Sequence, residues 1–169
     1  MRIAVFSDIH GNLPALQAVL ADIEAKRFDK AFCLGDLVGY GPWPNEVVDL
    51  LRQQEIPCIQ GNYDESVGEG LMVCGCDFTD AEAARLGEIS LNWTIDATTE
   101  ENKTWLRGLP QSLTADLGGY RLLLVHGSPR QNNEYLTFDY PAEQLEHFLQ
   151  EAEADIVLCG HTHLAFHRQ

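Results

Sequence analysis

The chain has 169 residues, of which 26 are acidic and 11 basic, for a formal charge of −15. A surface so short of Lys and Arg speaks against a nucleic-acid polymer or an anionic membrane as partner, because a phosphate backbone is bound by compensating positive charge; a small phosphorylated substrate is compatible with it. With 45% hydrophobic and 22% charged residues in a length that suits one domain, the composition excludes disorder and needs no covalent staples.

No apolar run approaches the roughly 18–20 residues of a membrane span. Ser7 and Asp8 break the N-terminal run Ile3-Ala4-Val5-Phe6, so no secretory signal is expected and the chain reads as cytoplasmic. The odd count of five cysteines agrees. Cys33, Cys58 and Cys159 lie in apolar runs that suit small buried thiols, whereas Cys74 and Cys76 flank Gly75 in an expected loop, as packed thiols or as a metal or redox pair.

In chain order, five short apolar runs predict strands: Ile3 to Phe6, Ala31 to Leu34, Ile56 to Ile59, Arg121 to Val125 and Ile156 to Cys159. They are continuous rather than alternating, the pattern of strands covered on both faces. A helix is predicted from Pro14 to Lys26, with Leu16, Val19, Leu20 and Ile23 on one face, and a second from Asn45 to Gln54, with Val47, Val48, Leu50 and Leu51 as its apolar side. The stretch 66–79 lacks periodicity and is expected to be a loop or lid. Asp80 to Trp93 predicts a helix burying Ala84, Ile89, Leu91 and Trp93, and Thr98 with Glu101 spells a capping box for a helix reaching Leu106. Leu113 to Asp116 and Tyr120 to Val125, joined across Gly118-Gly119, predict a β-hairpin, and Pro141 to Ala152 a last amphipathic helix carrying Leu145, Phe148 and Leu149. The order predicts a single α/β domain over residues 1–169 whose sheet system is not purely parallel.

Each strand-like run is followed within a few residues by metal-binding groups. Asp8 and His10 follow the first, Asp36 the second, Asn62 the third, His126 the fourth, and His161 with His163 the fifth. Parallel strands bring their carboxyl ends to one sheet edge, so these distant residues are expected to meet in one crevice. Two carboxylates, four imidazoles and a carboxamide form a mixed N/O set without thiolate, which suits Mn, Fe, Zn, Co or Ni better than Ca²⁺. Seven ligands exceed the needs of one ion. Two ions sharing one carboxylate account for all of them, with Asp36 as the bridge because Asp8 already has His10 beside it, and with the ions about 3.5–4 Å apart. His147 and His167 are expected on the solvated surface.

Asp8-Ile9-His10, Gly35-Asp36 with Gly39, Gly61-Asn62, Val125-His126-Gly127 and Gly160-His161-Thr162-His163 resemble the ordered motif set of the calcineurin-like metallophosphoesterase superfamily, and in particular its small bacterial phosphodiesterase-type branch. The resemblance implies a four-layer α/β/β/α sandwich: two mixed sheets packed face to face, with helices outside. It also implies one ion held by Asp8, His10, Asp36 and His163, and another by Asp36, Asn62, His126 and His161, with Mn as the first candidate metal. The implied function is hydrolysis of a phosphodiester or a small phosphorylated metabolite by a metal-bridging hydroxide attacking phosphorus in line. Asp36, Asn62, His126, Tyr63 and Asp64 are the candidate catalytic residues.

Two departures from the family pattern stand out. Many members carry His where this chain has Tyr63, and Tyr is a poorer proton donor at neutral pH, which predicts a preference for diesters or for esters with acidic leaving groups. Members also usually continue past the Gly-His-Thr-His motif into further strands. The sheet system is therefore expected to be incomplete at the C-terminus, with a sticky edge near Leu164 to His167 and self-association as one outcome. Arg130, just beyond His126-Gly127-Ser128-Pro129, either reaches a substrate phosphate or pairs with an acidic neighbour; Gly127 and Ser128 shape the rim or simply form a turn. Competing readings are a protein phosphatase, a dinucleoside-polyphosphate hydrolase, and a non-catalytic metal-binding scaffold.

Overall fold

The computed structural model describes residues 1–78 and 80–169. Strands β1 (Ile3–Phe6) and β2 (Lys30–Cys33) pair in parallel, Ile3 opposite Lys30. In a second, mixed sheet β3 (Ser112–Leu117) pairs antiparallel with β4 (Tyr120–Val125), and β4 pairs in parallel with β5 (Ile156–Leu158). The predicted hairpin forms, turning on Gly118 and Gly119, both at positive φ as a tight two-residue turn requires.

The run 56–59 does not form a full strand. It contributes one bridge, Cys33 opposite Cys58, flanked by Cys33 N–H to the Pro57 carbonyl and Ile59 N–H to the Cys33 carbonyl. Pro57 has no N–H to extend the ladder, and Gln60 N–H turns away to the Pro110 carbonyl.

The two sheets face each other across Phe32, Leu34 and Ile59 on one side and Leu122 and Leu124 on the other. Side chains alternate across a strand, so Cys33 points the opposite way, into a second core with Leu16, Val47, Val48, Leu51, Val67, Leu91 and Leu106. That core is closed by helices α1 (Leu13–Lys26), α2 (Pro44–Gln53), α3 (Asn62–Glu69), α4 (Ala81–Ala97) and α5 (Glu100–Arg107); α6 (Ala142–Glu151) contributes buried Phe148.

Helix α3 was not expected, and residues 66–69 of the presumed loop complete it; Thr79, at the loop's far end, lies outside the described residues. Helix α4 buries Gly87, Leu91 and Thr94, while Ala84, Ile89 and Trp93 are exposed, because its inner face is made of small and hydroxyl-bearing residues. Phe78 packs where a Cβ on Gly87 would stand, at 2.2 Å. The cap of α5 is Thr99, whose hydroxyl accepts from Asn102 N–H, rather than Thr98, whose hydroxyl donates back to the Thr94 carbonyl.

Candidate metal centre

Loops leaving the carboxyl ends of β1, β2, β4 and β5 meet at one edge of the facing sheets, where α3 also begins. Backbone bonds stitch the first two together: Asp8 N–H to the Gly35 carbonyl at 3.0 Å, His10 N–H to the Asp36 carbonyl at 2.9 Å, and Gly11 N–H to the Leu37 carbonyl at 2.7 Å. The last loop joins through Gly160 N–H to the His126 carbonyl at 2.8 Å and His161 N–H to Asp8 Oδ2 at 3.1 Å. Asp8, His10, Asp36, His161 and His163 all have φ between 48° and 65°, a left-handed region that non-glycine residues seldom occupy and that clusters at functional sites. The motif glycines permit the close approach. A Cβ on Gly61 would stand 2.1 Å from Asp36 Oδ1, and one on Gly160 would stand 2.2 Å from Ser7 Oγ.

The side chains converge in two groups, Asp8 with His10 and His163, and Asp36 with His126 and His161, each with ligand atoms within 4.8 Å of one another. His10 Nε2 lies 3.2 Å from His163 Nε2, and His163 Nε2 lies 3.3 Å from Asp8 Oδ1. His126 Nε2 lies 3.0 Å from Asn62 Oδ1. One oxygen of Asp36, Oδ2, is 3.3 Å from His126 Nε2 and 3.6 Å from His10 Nε2; the other, Oδ1, accepts from Tyr63 N–H at 2.9 Å.

These residues fit a metal. His10 Nδ1 meets the Val38 carbonyl at 2.9 Å and His126 Nδ1 the Leu34 carbonyl at 2.7 Å, so both Nδ1 atoms carry the proton and both Nε2 atoms are turned into the crevice. The buried Asp8 Oδ1 has no hydrogen-bond partner among the described residues. Lone pairs from imidazole and carboxylate aimed at shared points call for a cation there.

Charge coupling inside the crevice is strong. Burial raises the pKa of Asp36, but the charge and hydrogen bond of His126 and the charge of His10 outweigh it and hold the carboxyl below its usual range. Burial lowers that of His126, yet Asp36 and Asp8 more than reverse this, bringing it up to about 9. Burial and the neighbouring His126 charge push His161 down. Asp64 is pushed up to about 7 by burial and by Asp36.

Tyr63 and Asp64 sit beneath the crevice. Asp64 is fully buried and its carboxylate accepts from Leu37 N–H (2.9 Å), Val38 N–H (3.4 Å) and Gly61 N–H (3.0 Å), tying the Asp36 loop to the start of α3. The Tyr63 ring is buried against Gly39, Tyr40 and His10, and its hydroxyl has no hydrogen-bond partner among the described residues. Burial pushes the pKa of that phenol far up. Arg130 pairs with Glu134 and Tyr140 and lies over the Phe148 ring, 5.1 Å from its centroid, while buried Ser128 also bonds Glu134. His147 and His167 are exposed, as expected.

Sequence reasoning missed the rim. His161 Nε2 meets the Asn133 carbonyl at 3.1 Å, and the Tyr135 ring lies 4.1 Å from the His161 ring. Asn62 Nδ2 donates to the Cys74 carbonyl (2.9 Å) and to Cys76 Sγ (3.3 Å), and Asn133 Nδ2 to the Gly75 carbonyl (2.8 Å). Backbone acceptors leave no residue-type signal; only the Cys-Gly-Cys spacing was there to be noticed.

Facing sheets with a mixed N/O pocket at their loop edge define a metalloprotein class in which distant strand-end loops supply the ligands. The whole chain, residues 1–169, matches the model of the calcineurin-like phosphoesterase superfamily domain, and the protein belongs to that superfamily. It is 36% identical over 166 residues to an uncharacterized protein of Methanocaldococcus jannaschii, covering 97% of this chain and 63% of that protein. The crystal structure of a metallophosphoesterase from Sphaerobacter thermophilus is similar with a TM-score of 0.70 and 34% identity, over 97% of this chain and 61% of that one. A hypothetical protein of Pyrococcus horikoshii OT3 gives a TM-score of 0.75 at 26% identity, over 94% and 68%. The chain thus spans somewhat under two thirds of the curated relative's length. Membership of the superfamily gives the chain a phosphoesterase-type fold and implies divalent metal ions, and no described helix is long and apolar enough to cross a membrane.

Proposed function

We propose that the protein is a cytoplasmic, dinuclear metal-dependent phosphoesterase acting on a phosphodiester or a small phosphorylated metabolite. Asp8, His10, Asp36 and His163 would hold one ion, and Asp36, Asn62, His126 and His161 the other, with Mn²⁺ the first candidate. The observation that carries this reading is the position of Asp36 Oδ2, a single carboxylate oxygen 3.3 Å from His126 of one group and 3.6 Å from His10 of the other. Bound divalent ions supply a Lewis acid for the phosphoryl oxygens and a water of lowered pKa.

The chain's own residues set the geometry for that chemistry. The Val38 and Leu34 carbonyls fix the tautomers of His10 and His126 and so aim both Nε2 lone pairs. Asp64 acts as a positioning residue, clamping the Asp36 loop to Gly61. Tyr63 orients Asp36 through its backbone N–H, while its sealed phenol keeps its proton at neutral pH. With no acid there to protonate the leaving oxygen, the favoured substrates are aryl esters and diesters whose leaving groups depart unprotonated. The intact set of seven donors argues against a scaffold that has lost turnover.

The test is a Mn²⁺-supplemented panel of aryl diesters, aryl monoesters, alkyl monoesters and nucleotides, with Asn62→Ala as control. Aryl diester hydrolysis abolished by Asn62→Ala is the expected result. Turnover surviving that substitution unchanged, or equal turnover of alkyl and aryl monoesters, would overturn the assignment and the leaving-group preference respectively.

A further inference from the structure

Cys74-Gly75-Cys76 is the one motif the proposed reaction leaves without a role, and it lies directly on the crevice. Cys74 is buried in the helical core and Cys76 packs against that same core. Both residues also support Asn62, whose side-chain amide donates to the Cys74 carbonyl at 2.9 Å and to Cys76 Sγ at 3.3 Å. Residues two apart in sequence stand at most roughly 7 Å apart when extended. Gly75, at φ +72°, turns the chain between them and brings the pair toward the ~4.4–6.8 Å Cα separation of a disulfide. The turn is held from outside, since Asn133 Nδ2 donates to the Gly75 carbonyl and would stand 2.6 Å from any Cβ at position 75. Cys74 is buried while Cys76 is partly exposed, which gives an oxidant one sulfur to meet and leaves the other behind it.

We propose that Cys74 and Cys76 are a redox modification site: a small-molecule disulfide oxidises them to an intramolecular disulfide that unseats Asn62. Cys76 Sγ, after losing its proton, attacks one sulfur of the oxidant, forming a mixed disulfide and expelling one thiolate. Cys74 Sγ, likewise deprotonated, then attacks Cys76 Sγ, forming the Cys74–Cys76 bond and expelling the second thiolate. The two protons lost by the cysteines end on the two departing thiols, so the protein is oxidised by two electrons and the reagent reduced by two. Once bonded to Cys74, the Cys76 sulfur is held away from Asn62 Nδ2, and the amide that faces His126 loses part of its support. Residues that orient a metal ligand typically change affinity or activity by about 10–100-fold when altered.

The consequence for turnover rests on the function proposed above; the disulfide does not. The full chain is incubated with oxidised glutathione, alkylated, and its peptides mapped by mass spectrometry, beside the Cys74→Ser/Cys76→Ser double variant, and Mn²⁺ binding and aryl diester hydrolysis are measured on each. The expected result is a Cys74–Cys76 crosslink reversed by dithiothreitol, with Mn²⁺ affinity falling about 10-fold in the wild type and not in the double variant. Alkylation of both thiols after oxidant treatment, crosslinks formed only among Cys33, Cys58 and Cys159, or an equal loss of Mn²⁺ affinity in the double variant would each overturn the proposal. If no phosphoester is hydrolysed by either protein, the peptide map and Mn²⁺ titration still decide it.

Discussion

Replacing Gly61 by Ala probes the closest contact in the candidate centre. The new Cβ would stand 2.1 Å from Asp36 Oδ1, 2.2 Å from the Asp36 backbone nitrogen and 2.8 Å from Asp36 Cγ. The φ of Gly61 is −86°, which Ala adopts freely, so the perturbation is purely steric. Asp36 cannot swing aside: Oδ1 is held by Tyr63 N–H, its backbone is left-handed, and Gly35 behind it already sits where a Cβ would be 2.4 Å from the Gly61 nitrogen. Relief therefore separates the Asp36 and Asn62 loops by about 1 Å. Overpacking of this kind costs ~1–3 kcal/mol, and in a domain of this size that lowers Tm by roughly 2–12 °C. A displacement of about 1 Å at a reacting centre costs on the order of 100-fold in rate. Melting curves with and without Mn²⁺, and kcat/KM on an aryl diester, should show a folded protein with a lowered Tm, a reduced Mn²⁺-induced rise in Tm and a ~100-fold loss of kcat/KM. A variant with wild-type kcat/KM and a wild-type Mn²⁺ response would refute the reasoning, because it would mean that the seating of these loops does not matter.

Chelation should lower Tm along with activity, since Asp8 and Asp36 then line one crevice without a metal cation; a metal present at about 100 times its Kd stabilises by ~2.7 kcal/mol, or roughly 5–10 °C, and an unchanged melting curve after verified metal removal would count against the assembled site. Tyr63→Phe removes a buried hydroxyl that has no hydrogen-bond partner among the described residues, so stability should hold or rise by up to ~1 kcal/mol with activity nearly unchanged; a fall of about 100-fold would mark the phenol as a general acid. Metal uptake should release close to one proton per centre and tighten with pH until about pH 9, because His126 holds a proton up to about 9 that an incoming ion must displace. For the metal-free fold the sign is opposite: the stabilisation of protonated His126 by Asp36 is full below roughly pH 6.5 and is lost as pH rises through about 9. Calorimetry in buffers of different ionisation enthalpy reads the proton release directly, and an absence of buffer dependence would contradict it.

The sequence disclosed most where one residue's chemistry decided its place. Asp8, His10, Asp36, His126, His161 and His163 were legible because donor side chains directly after apolar runs have few other reasons to recur at every strand end. Strands and amphipathic helices with an apolar stripe, such as α2 with Val47, Val48 and Leu51, were legible for the same reason. Helix α3 escaped because Asn62, Asp64 and Ser66 are buried through hydrogen bonds rather than apolar contact, so its sequence carries no apolar period. Helix α4 misled in the converse way: Ile89 and Trp93 lie outward, while Gly87 and Thr94 lie inward to admit close neighbours. Pro57 cost the third run its ladder. The clasp of Asn62 by Cys74 and Cys76 rests mainly on a backbone carbonyl, a partner that every residue type offers equally.

The two candidate ligand pairs with one intervening residue, Asp8-Ile9-His10 and His161-Thr162-His163, use one conformational device. In each, both outer residues have φ near 50–65°. Between the first two, Ile9 is directed into the helical core. A left-handed L-residue costs roughly 1–2 kcal/mol, so the five such residues at the candidate centre together cost an amount comparable to the entire ~5–15 kcal/mol net stability of a typical domain. Local sequence cannot hold that strain; it must be over-determined by the backbone bonds that join the Asp8 loop to the Asp36 loop and Gly160 to His126, and by His161 N–H on the Asp8 carboxylate. The decisive contacts, His10 to His163 and Asp8 to His161, join residues 153 positions apart. No partial fold can contain them, so a metal held there binds the complete fold and not its fragments. Its binding energy should therefore appear in full as global stability, which makes the melting temperature a direct report on the centre.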